Sequence, residues 1–303
     1  MRRRLWIEQA RQRSVRRDSK PKVAVVTGGN TGLGYETALA LVEAGYFTII
    51  ACRNLESGAK AAKRIAMATD KTDATAVMEL DLSSPASIDA FLSVFEARGY
   101  GLDVLVNNAG VMDIPYSETM DGYEMQFGVN HLGHYRLTLG LLPLLNKAEQ
   151  GRVVVLSSVA LYASDGIPYH LLRGNKHYSR LGHYSHSKLA NFLFTKALDR
   201  RLRANRSRVT VNACHPGACY TELFRYDPFM ILVTIIGRWI MRTPAHGALS
   251  SIYLALSPEV DSVSGEYFFD TIPRTPSKVA LDKDAQELLW AKSVQYTSTD
   301  LKL

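Results

Sequence analysis

The chain has 303 residues, 47% of them apolar, which allows a substantial buried core and either one large domain or two small ones. Its three cysteines are too few for a disulfide framework. The formal net charge is +7, but residues 1–20 carry eight Lys or Arg against two acidic residues, so the rest of the chain is almost neutral. This distribution argues against a nucleic-acid-binding face.

The first 20 residues form a basic leader that begins MRRRLWIEQARQRSVRR. The leader lacks the apolar core of a signal peptide, and its apolar residues are too few to span a bilayer. One short apolar patch, Leu5 to Ile7, leaves three interpretations open: a solvated tail, a membrane-surface anchor and a mitochondrial import segment. We expect residues 1–20 to be flexible or surface-associated and residues 21–303 to form the folded domain.

Short β-branched runs alternate with helical patterns along the rest of the chain. Strands are predicted at VAVVT (23–27), FTIIA (47–51), TAVMEL (75–80), DVLVN (103–107), RVVVLS (152–157), RVTVNA (208–213) and EYFF (266–269). Helices are predicted at about 33–44, 56–68, 85–98, 121–146, 184–204 and 244–256. Continuous apolar strands separated by helices are typical of a parallel sheet covered on both faces. Because no linker or repeat divides the chain, we predict a single α/β domain built on a doubly wound parallel sheet of about seven strands.

The first predicted strand runs directly into TGGNTGLG, which places a cluster of glycines between a strand and a helix. Glycine permits positive φ there and lets backbone N–H groups approach a pyrophosphate at the helix N-terminus. Tight turns need glycine anyway, but this position at the start of a βαβ series favours a Rossmann-like dinucleotide site. The candidate contacts in this loop are Gly28, Asn30, Thr31, Gly32, Leu33 and Gly34.

The second predicted strand ends in ACRN, so that Arg53 stands where an NAD enzyme usually has an acidic residue for the ribose 2′-hydroxyl. An arginine can pair with a 2′-phosphate, which favours NADP over NAD; the alternative is an exposed loop arginine. After the third strand, Asp81 and Leu82 follow in LDLS. Asp81 could accept a hydrogen bond from the adenine amine or could cap the next helix.

Tyr184 and Lys188 in GHYSHSKLAN lie one helical turn apart and share a helix face, which alone could be surface decoration. His131 and His134 in HLGH have a spacing that could hold a metal, but no carboxylate or cysteine partner is arranged around them, so no metal site is predicted. The apolar segment at 228–241, PFMILVTIIGRWIM, is too short to span a bilayer. It could form a lid over an apolar pocket, a membrane-contacting patch or a core helix.

Six motifs in order resemble the short-chain dehydrogenases/reductases: TGGNTGLG, NNAG (107–110), NHLGHY (130–135), SS (157–158), YSHSK (184–188) and HPG (215–217). The resemblance covers about residues 21–290. Within that family, RNLESG, MDGYEMQFGVNHLGHYRLT, YSHSKLANFLFTKAL and HPGACYTEL are most similar to retinol dehydrogenase-like members. Plant protochlorophyllide reductases resemble the same NHLGHY region.

The resemblance implies a catalytic tetrad of Asn130, Ser158, Tyr184 and Lys188. Tyr184 would be the acid that protonates the substrate oxygen, Ser158 would donate to the developing oxyanion, and Asn130 would hold a water that joins Lys188 to solvent. A nearby ammonium and the positive oxidised nicotinamide both favour the phenolate, so we expect Lys188 and the nicotinamide together to lower the pKa of Tyr184. The further cofactor contacts that the resemblance implies are Asn108, Ala109, Gly110, Tyr184, Lys188, Pro216, Gly217 and Thr221.

We therefore expect an NADP-preferring oxidoreductase that interconverts a lipophilic aldehyde or ketone with its alcohol, a retinoid being one candidate. The alternatives are a steroid, polyprenoid or xenobiotic carbonyl reductase, and a catalytically idle dinucleotide-binding protein that senses redox state or scaffolds partners. The expected partner is a lipophilic small molecule and not a nucleic acid. A homodimer and a peripheral membrane contact through residues 1–20 or 228–241 are further expectations. We expect an intracellular location, in the cytoplasm or on the endoplasmic reticulum, lipid droplets or mitochondria.

Overall fold

The structure is a computed structural model that describes residues 2–15, 20–174, 177–217 and 242–301. The strands are β1 (Val23–Thr27), β2 (Phe47–Cys52), β3 (Thr75–Glu79), β4 (Val104–Asn107), β5 (Arg152–Leu156), β6 (Thr210–His215), β7 (Tyr267–Phe269) and β8 (Ile272–Pro273). These described strands form one sheet in the order β3-β2-β1-β4-β5-β6-β7-β8, parallel from β3 to β7, with β8 antiparallel to β7. The predicted single α/β domain is confirmed, and β8 adds a short eighth strand at the edge.

Helices of eight or more residues in the described chain are α1 (Arg2–Arg11), α2 (Gly32–Glu43), α3 (Leu55–Thr69), α4 (Pro85–Ala97), α5 (His134–Leu145), α6 (Arg180–Ala204), α7 (Leu249–Leu256) and α8 (Lys283–Thr297). Shorter helical segments are Met125–Phe127, Gly128–Gly133, Val159–Ala163, Tyr169–Leu171, Pro244–Gly247, Pro258–Val260 and Lys278–Leu281. The sequence-based prediction lacks α1 and α8. It also runs one helix through 121–146, whereas a π-helical turn at Gly128–Gly133 precedes α5.

Side-chain caps fix where the long helices begin. Asn54, Ser84 and Ser179 each accept the backbone N–H of the residue three positions later, at the starts of α3, α4 and α6. Such caps satisfy N–H groups that the helix itself leaves unpaired. The start of α6, which carries Tyr184, is therefore defined by its own sequence.

The central strands contribute side chains to two separate hydrophobic cores, one on each face of the sheet. Val25 and Ile49 belong to the core on one face of the sheet, whereas Val26 and Ile50 belong to the core on the other face. β1 pairs with β2 on one side and with β4 on the other. The strand order therefore runs in one direction from β1 to β3 and in the opposite direction from β4 onwards. A doubly wound sheet has its ligand crevice at such a switch point, outside the carboxyl ends of the strands.

α6 is packed on both sides, by the sheet and by α8. The Trp290 ring of α8 lies 6.2 Å from the Phe194 ring, and the Arg201 guanidinium carbon lies 4.0 Å from the Trp290 ring centroid. Glu287 forms an ion pair with Arg201 at 2.6 Å. Because α8 covers part of α6, it reduces the surface that a second copy could reach there, and the homodimer stays a prediction.

The leader is not a solvated tail over residues 2–15. Trp6, Ile7 and Ala10 are buried against the domain, and the Trp6 ring lies 5.0 Å from the Tyr253 ring of α7. The Arg11 guanidinium also donates two hydrogen bonds to the carbonyl oxygen of Glu43, at 2.9 and 3.2 Å. The expectation of a flexible leader is therefore wrong for these residues.

The physical reason is the helical spacing of the apolar side chains. Trp6, Ile7 and Ala10 share one face of α1, and that face covers apolar surface on the domain. Trp6 and Ile7 contact the domain in this arrangement, and the peripheral membrane contact through residues 1–20 stays a prediction.

The second candidate membrane contact, residues 228–241, lies outside the described residues. Where the chain is described, none of its helices has both the length and the apolar character that crossing a membrane requires.

Replacing Trp6 with Ala is expected to lower the free energy of unfolding by about 3–5 kcal/mol, because it empties a buried aromatic site between α1 and α7. Urea denaturation followed by circular dichroism measures the change. Leu5→Ala is the matched control, since Leu5 is 51% exposed on the same helix and Trp6 only 3%. Equal stability of the two variants would mean that α1 is not part of the folded domain.

Candidate active site

The glycine-rich turn after β1 has the shape that a pyrophosphate needs. Gly28 and Gly32 have positive φ, +63° and +53°. A Cβ on Gly34 would lie 2.2 Å from the carbonyl oxygen of Gly28 and 2.5 Å from Nδ2 of Asn108. A side chain at Gly34 would therefore push the loop open. The turn from Gly28 to Gly34 therefore allows the close contact between backbone and phosphate that a dinucleotide requires.

A cavity of about 650 Å³ opens at the carboxyl ends of the strands, beside this loop. The predicted site residues that line it are Gly28, Asn30, Thr31, Gly32, Leu33, Gly34, Arg53, Asp81, Leu82, Asn108, Ala109, Gly110, Tyr184, Lys188 and Pro216. Gly217 is not part of this lining and lies against Arg242. Thr221 lies outside the described residues. The structure thus brings the glycine loop and the YSHSK motif to one cavity.

The cavity also has lining residues that the sequence analysis does not single out. Ser57 accepts a hydrogen bond from Nδ2 of Asn30 at 3.0 Å, beside Arg53. Met112 and Ile114 line the cavity on the loop after β4. Ser57 could have been predicted as a cavity residue from the sequence, because it follows the end of the second predicted strand by a few residues. Met112 and Ile114 could not, because apolar residues after a strand are ordinary core candidates.

The Asp81 carboxylate accepts hydrogen bonds from its own turn. Its Oδ1 accepts hydrogen bonds from the backbone N–H of Ser83 at 2.9 Å and from the Ser83 hydroxyl at 2.7 Å. Ser84, and not Asp81, caps α4. Asp81 still lines the cavity, so its contact with an adenine amine stays a prediction.

Hydrogen bonds from Thr27 at the end of β1 fix the NNAG loop. The Thr27 hydroxyl accepts the N–H groups of Asn108 and Ala109, both at 2.9 Å, and Asn108 Nδ2 donates to the Thr27 carbonyl at 2.7 Å. Nδ1 of His134 faces the carbonyl oxygen of Asn130 at 3.1 Å and must carry the proton. Nε2 of His134 therefore accepts the Thr27 hydroxyl at 2.9 Å.

Asn130 lies in the π-helical turn and is fully buried. Its Oδ1 accepts the N–H of Val111 at 2.8 Å, and its Nδ2 donates to the Val111 carbonyl and to the Ser187 hydroxyl, both at 2.9 Å. Both amide hydrogens are therefore used within the protein. The side chain ties the loop after β4 to α6, and the expected role of Asn130 in a water relay stays a prediction.

Tyr184 and Lys188 line the cavity, whereas Ser158 lies beside Tyr184 and, like Asn130, is not part of the lining. The Lys188 ammonium donates to the carbonyl oxygen of Leu156 at 3.1 Å and lies 5.5 Å from the Tyr184 ring centroid. The Ser158 side chain is close enough to the Tyr184 hydroxyl to lower the pKa of that phenol. The one-turn spacing in the sequence thus places phenol and ammonium at the same site.

Burial dominates the electrostatics of Tyr184 and Lys188. It raises the pKa of Tyr184 to about 12, and the neighbouring Ser158 side chain opposes that rise only in part. Burial also lowers the pKa of Lys188 to about 8. Among the protein's own side chains, desolvation of the phenolate is the largest influence on the pKa of Tyr184, and the expected lowering by Lys188 together with the oxidised nicotinamide stays a prediction.

The buried side chains of His131 and His134 contact hydroxyl groups within the protein. Nε2 of His131 lies 2.8 Å from the Ser293 hydroxyl of α8, whereas His134 contacts Thr27. Over the ranges that the structure describes, no group of three or more His, Cys, Asp or Glu side chains is arranged to hold a metal ion.

Comparison with known proteins defines the class. A family model for short chain dehydrogenase matches residues 22–228. Retinol dehydrogenase 12 of Homo sapiens is 43% identical over 274 residues, 90% of this chain and 85% of that protein. Retinol dehydrogenase 11 of Mus musculus is 45% identical over 249 residues, 82% and 78%. The crystal structure of an uncharacterized protein from Mycobacterium Paratuberculosis has a TM-score of 0.75 at 35% identity, covering 93% of this chain and 95% of that one.

The chain belongs to the short-chain dehydrogenase family, a family of oxidoreductases. Within it, the chain is similar to retinol dehydrogenases over most of its length. The resemblance drawn from its motifs is therefore confirmed.

Acid should destabilise the protein through its buried histidines. Burial lowers the pKa of His131 to about 3 and of His134 to about 4, so the unfolded chain binds more protons than the folded one below about pH 6.5. Stability therefore falls as the pH drops through that range, by about 1 kcal/mol for each histidine at about pH 5.5.

Urea unfolding at about pH 7.5 and 5.5 measures this loss. His131→Gln should lose less stability between the two pH values than the wild type. His170→Gln should lose as much as the wild type, since His170 is exposed. The same loss in all three proteins would contradict the assignment to His131.

Proposed function

We propose that this protein is an NADP-preferring oxidoreductase that interconverts a lipophilic aldehyde or ketone with its alcohol. One observation carries the proposal: the Tyr184 and Lys188 side chains border the same cavity as the glycine-rich loop. A proton donor and a dinucleotide cradle facing one cavity are the two parts that carbonyl reduction by hydride transfer requires.

The cofactor would lie along the loop after β1, with its phosphates on the glycine turn. Arg53 is exposed at the rim of the cavity, within reach of a 2′-phosphate, and this position carries no carboxylate for a ribose 2′-hydroxyl. When bound, the nicotinamide dinucleotide supplies or accepts the hydride. The charge at position 53 supports NADP over NAD.

Tyr184 keeps its proton at neutral pH, because its pKa is about 12. It can therefore donate that proton to a carbonyl oxygen as the alcohol forms. The Ser158 hydroxyl lies beside the Tyr184 phenol and can stabilise negative charge on the substrate oxygen. Lys188, with a pKa of about 8, is largely charged at neutral pH and can return a proton towards the phenol.

The substrate is proposed to be lipophilic because Met112, Ile114 and Val129 line the cavity that Tyr184 and Lys188 also line. Apolar walls bind apolar chains through the area that they bury. The relatives named retinol dehydrogenases make retinal and retinol the first candidates.

A substrate panel tests the proposal. Purified protein is assayed for NADPH and NADH oxidation with retinal, a steroid ketone and simple aldehydes. Retinal should give the highest kcat/KM. A preference for the steroid would favour the broader carbonyl reductase. Dinucleotide binding without turnover of any compound would favour a catalytically idle binding protein.

Replacing Tyr184 with Phe is expected to lower kcat about 100-fold to 10,000-fold, because the variant lacks the proton donor. The affinity for NADPH, measured by fluorescence titration, should be retained. Tyr100→Phe is the control, since Tyr100 packs against Phe47 and Phe95 away from the cavity. Turnover by Tyr184→Phe at the wild-type rate would reject the acid role.

Replacing Arg53 with Asp should reverse the coenzyme preference. Loss of a charge-assisted contact and gain of a repelling carboxylate should lower the ratio of kcat/KM with NADPH to that with NADH at least about tenfold to 100-fold. Arg98→Asp is the control, because it makes the same charge change at an exposed site before β4. If both variants keep the wild-type ratio, Arg53 does not contact a phosphate.

A further inference from the structure

The loop that follows β4 contains a residue in an unusual backbone conformation. Asp113 has φ +53°, in the left-handed region that favours glycine, and it is buried. Its neighbours Met112 and Ile114 line the cavity that Tyr184 borders. A non-glycine residue stays in this region only where its surroundings over-determine it, and such residues cluster at functional sites. Contacts from other elements must therefore hold this loop.

Gln126 supplies the first of these contacts. Its side chain is fully buried, and its Oε1 accepts the N–H of Asp113 at 3.0 Å. Its Nε2 donates to the carbonyl oxygen of Arg180 at 2.7 Å. Arg180 is the first residue of α6, one helical turn before Tyr184. One amide thus joins the loop to the start of the helix that carries the proposed acid.

Tyr178 supplies the second contact. Its hydroxyl donates to the carbonyl oxygen of Ile114 at 2.9 Å and accepts a hydrogen bond from Nε2 of Gln126 at 3.0 Å. The Tyr178 ring packs against the rings of Tyr116 and His183, with centroids 5.3 and 4.8 Å apart. Gln126 and Tyr178, which together form a hydrogen-bonded bridge, therefore contact the loop at two adjacent residues, Asp113 and Ile114.

The backbone of Gln126 is itself fixed. The buried carboxylate of Glu124 accepts the N–H groups of Gln126 at 2.9 Å and of Phe127 at 2.8 Å. At the other end of the loop, Asn130 binds both backbone groups of Val111. A buried, satisfied polar network of this kind rigidifies the segments that it joins.

We propose that Gln126 and Tyr178 are positioning residues that set the substrate range. They hold Met112 and Ile114 as an apolar wall at a fixed distance from the Tyr184 hydroxyl. The wall packs along the hydrocarbon chain of a long aldehyde whose carbonyl lies at Tyr184, and each buried CH₂ group adds to binding. A short aldehyde gains little from the wall. This inference rests on the proposed function.

The test compares two aldehydes in three variants. Kinetics with NADPH are measured for retinal and for propanal in Tyr178→Phe and Gln126→Leu. Tyr116→Phe is the matched control, because it removes the hydroxyl of the ring next to Tyr178. That hydroxyl donates to Glu118 and contacts neither Asp113 nor Ile114. The retinal-to-propanal ratio of kcat/KM should fall about tenfold in Tyr178→Phe, mainly through KM for retinal, and should stay at the wild-type value in Tyr116→Phe.

A second readout does not need turnover. Hydrogen exchange of the peptide that covers residues 111–114 should be faster in Tyr178→Phe and in Gln126→Leu, and unchanged in Tyr116→Phe. If Gln126→Leu does not fold, Tyr178→Phe alone decides. Unchanged exchange in Tyr178→Phe would overturn the bridge. Faster exchange with an unchanged substrate ratio would overturn its role in selecting the substrate.

Retinol binding separates this inference from the proposed function. If the wild type reduces neither aldehyde but binds retinol, as measured by quenching of tryptophan fluorescence, and Tyr178→Phe binds it more weakly, the proposed function fails and the positioning role stands. If the wild type reduces both aldehydes and Tyr178→Phe keeps the wild-type ratio, the proposed function stands and the positioning role fails. Loss of both turnover and binding in the wild type rejects both.

Discussion

The candidate site depends on the way α6 is fixed to the end of β5. Lys188 and Asn191 both donate to the carbonyl oxygen of Leu156, at 3.1 and 3.0 Å, and the Ser157 hydroxyl donates to the carbonyl oxygen of Lys188 at 2.7 Å. Helix and strand thus each donate to a backbone carbonyl of the other. α6 cannot rotate about its axis without leaving these buried groups unpaired. The orientation of Tyr184 follows from this connection.

Burial acts on the two side chains in opposite directions. It raises the pKa of Tyr184 and lowers that of Lys188, because both charged forms lose hydration. The protein alone therefore stabilises a neutral phenol. A positive charge brought into the cavity would favour the phenolate, so the direction of proton transfer can follow the charge that the cavity holds. The spacing of Tyr184 and Lys188 identifies the pair, whereas their pKa values depend on everything packed around them.

Features that depend on local sequence could be predicted, whereas features that depend on contacts between distant segments could not. The strands were predictable because a parallel sheet covered on both faces requires continuous apolar runs, and Gly34 was predictable because a close backbone approach excludes a side chain. α1 was not, since Trp6 and Ile7 look like an isolated apolar patch until α7 is placed beside them. Asn130 could be named from its motif, but its bonds to Val111 and Ser187 arise from segments far apart in the chain.

α8 completes the packing of α6, and it lies far downstream in the chain. While the protein is being made on a ribosome, α6 is synthesised long before Trp290 can reach it. Until then Phe194 and Tyr135, which contact Trp290 in the finished fold, lack that cover. A nascent chain at this stage would present an aromatic surface, which α8 covers once it has been synthesised.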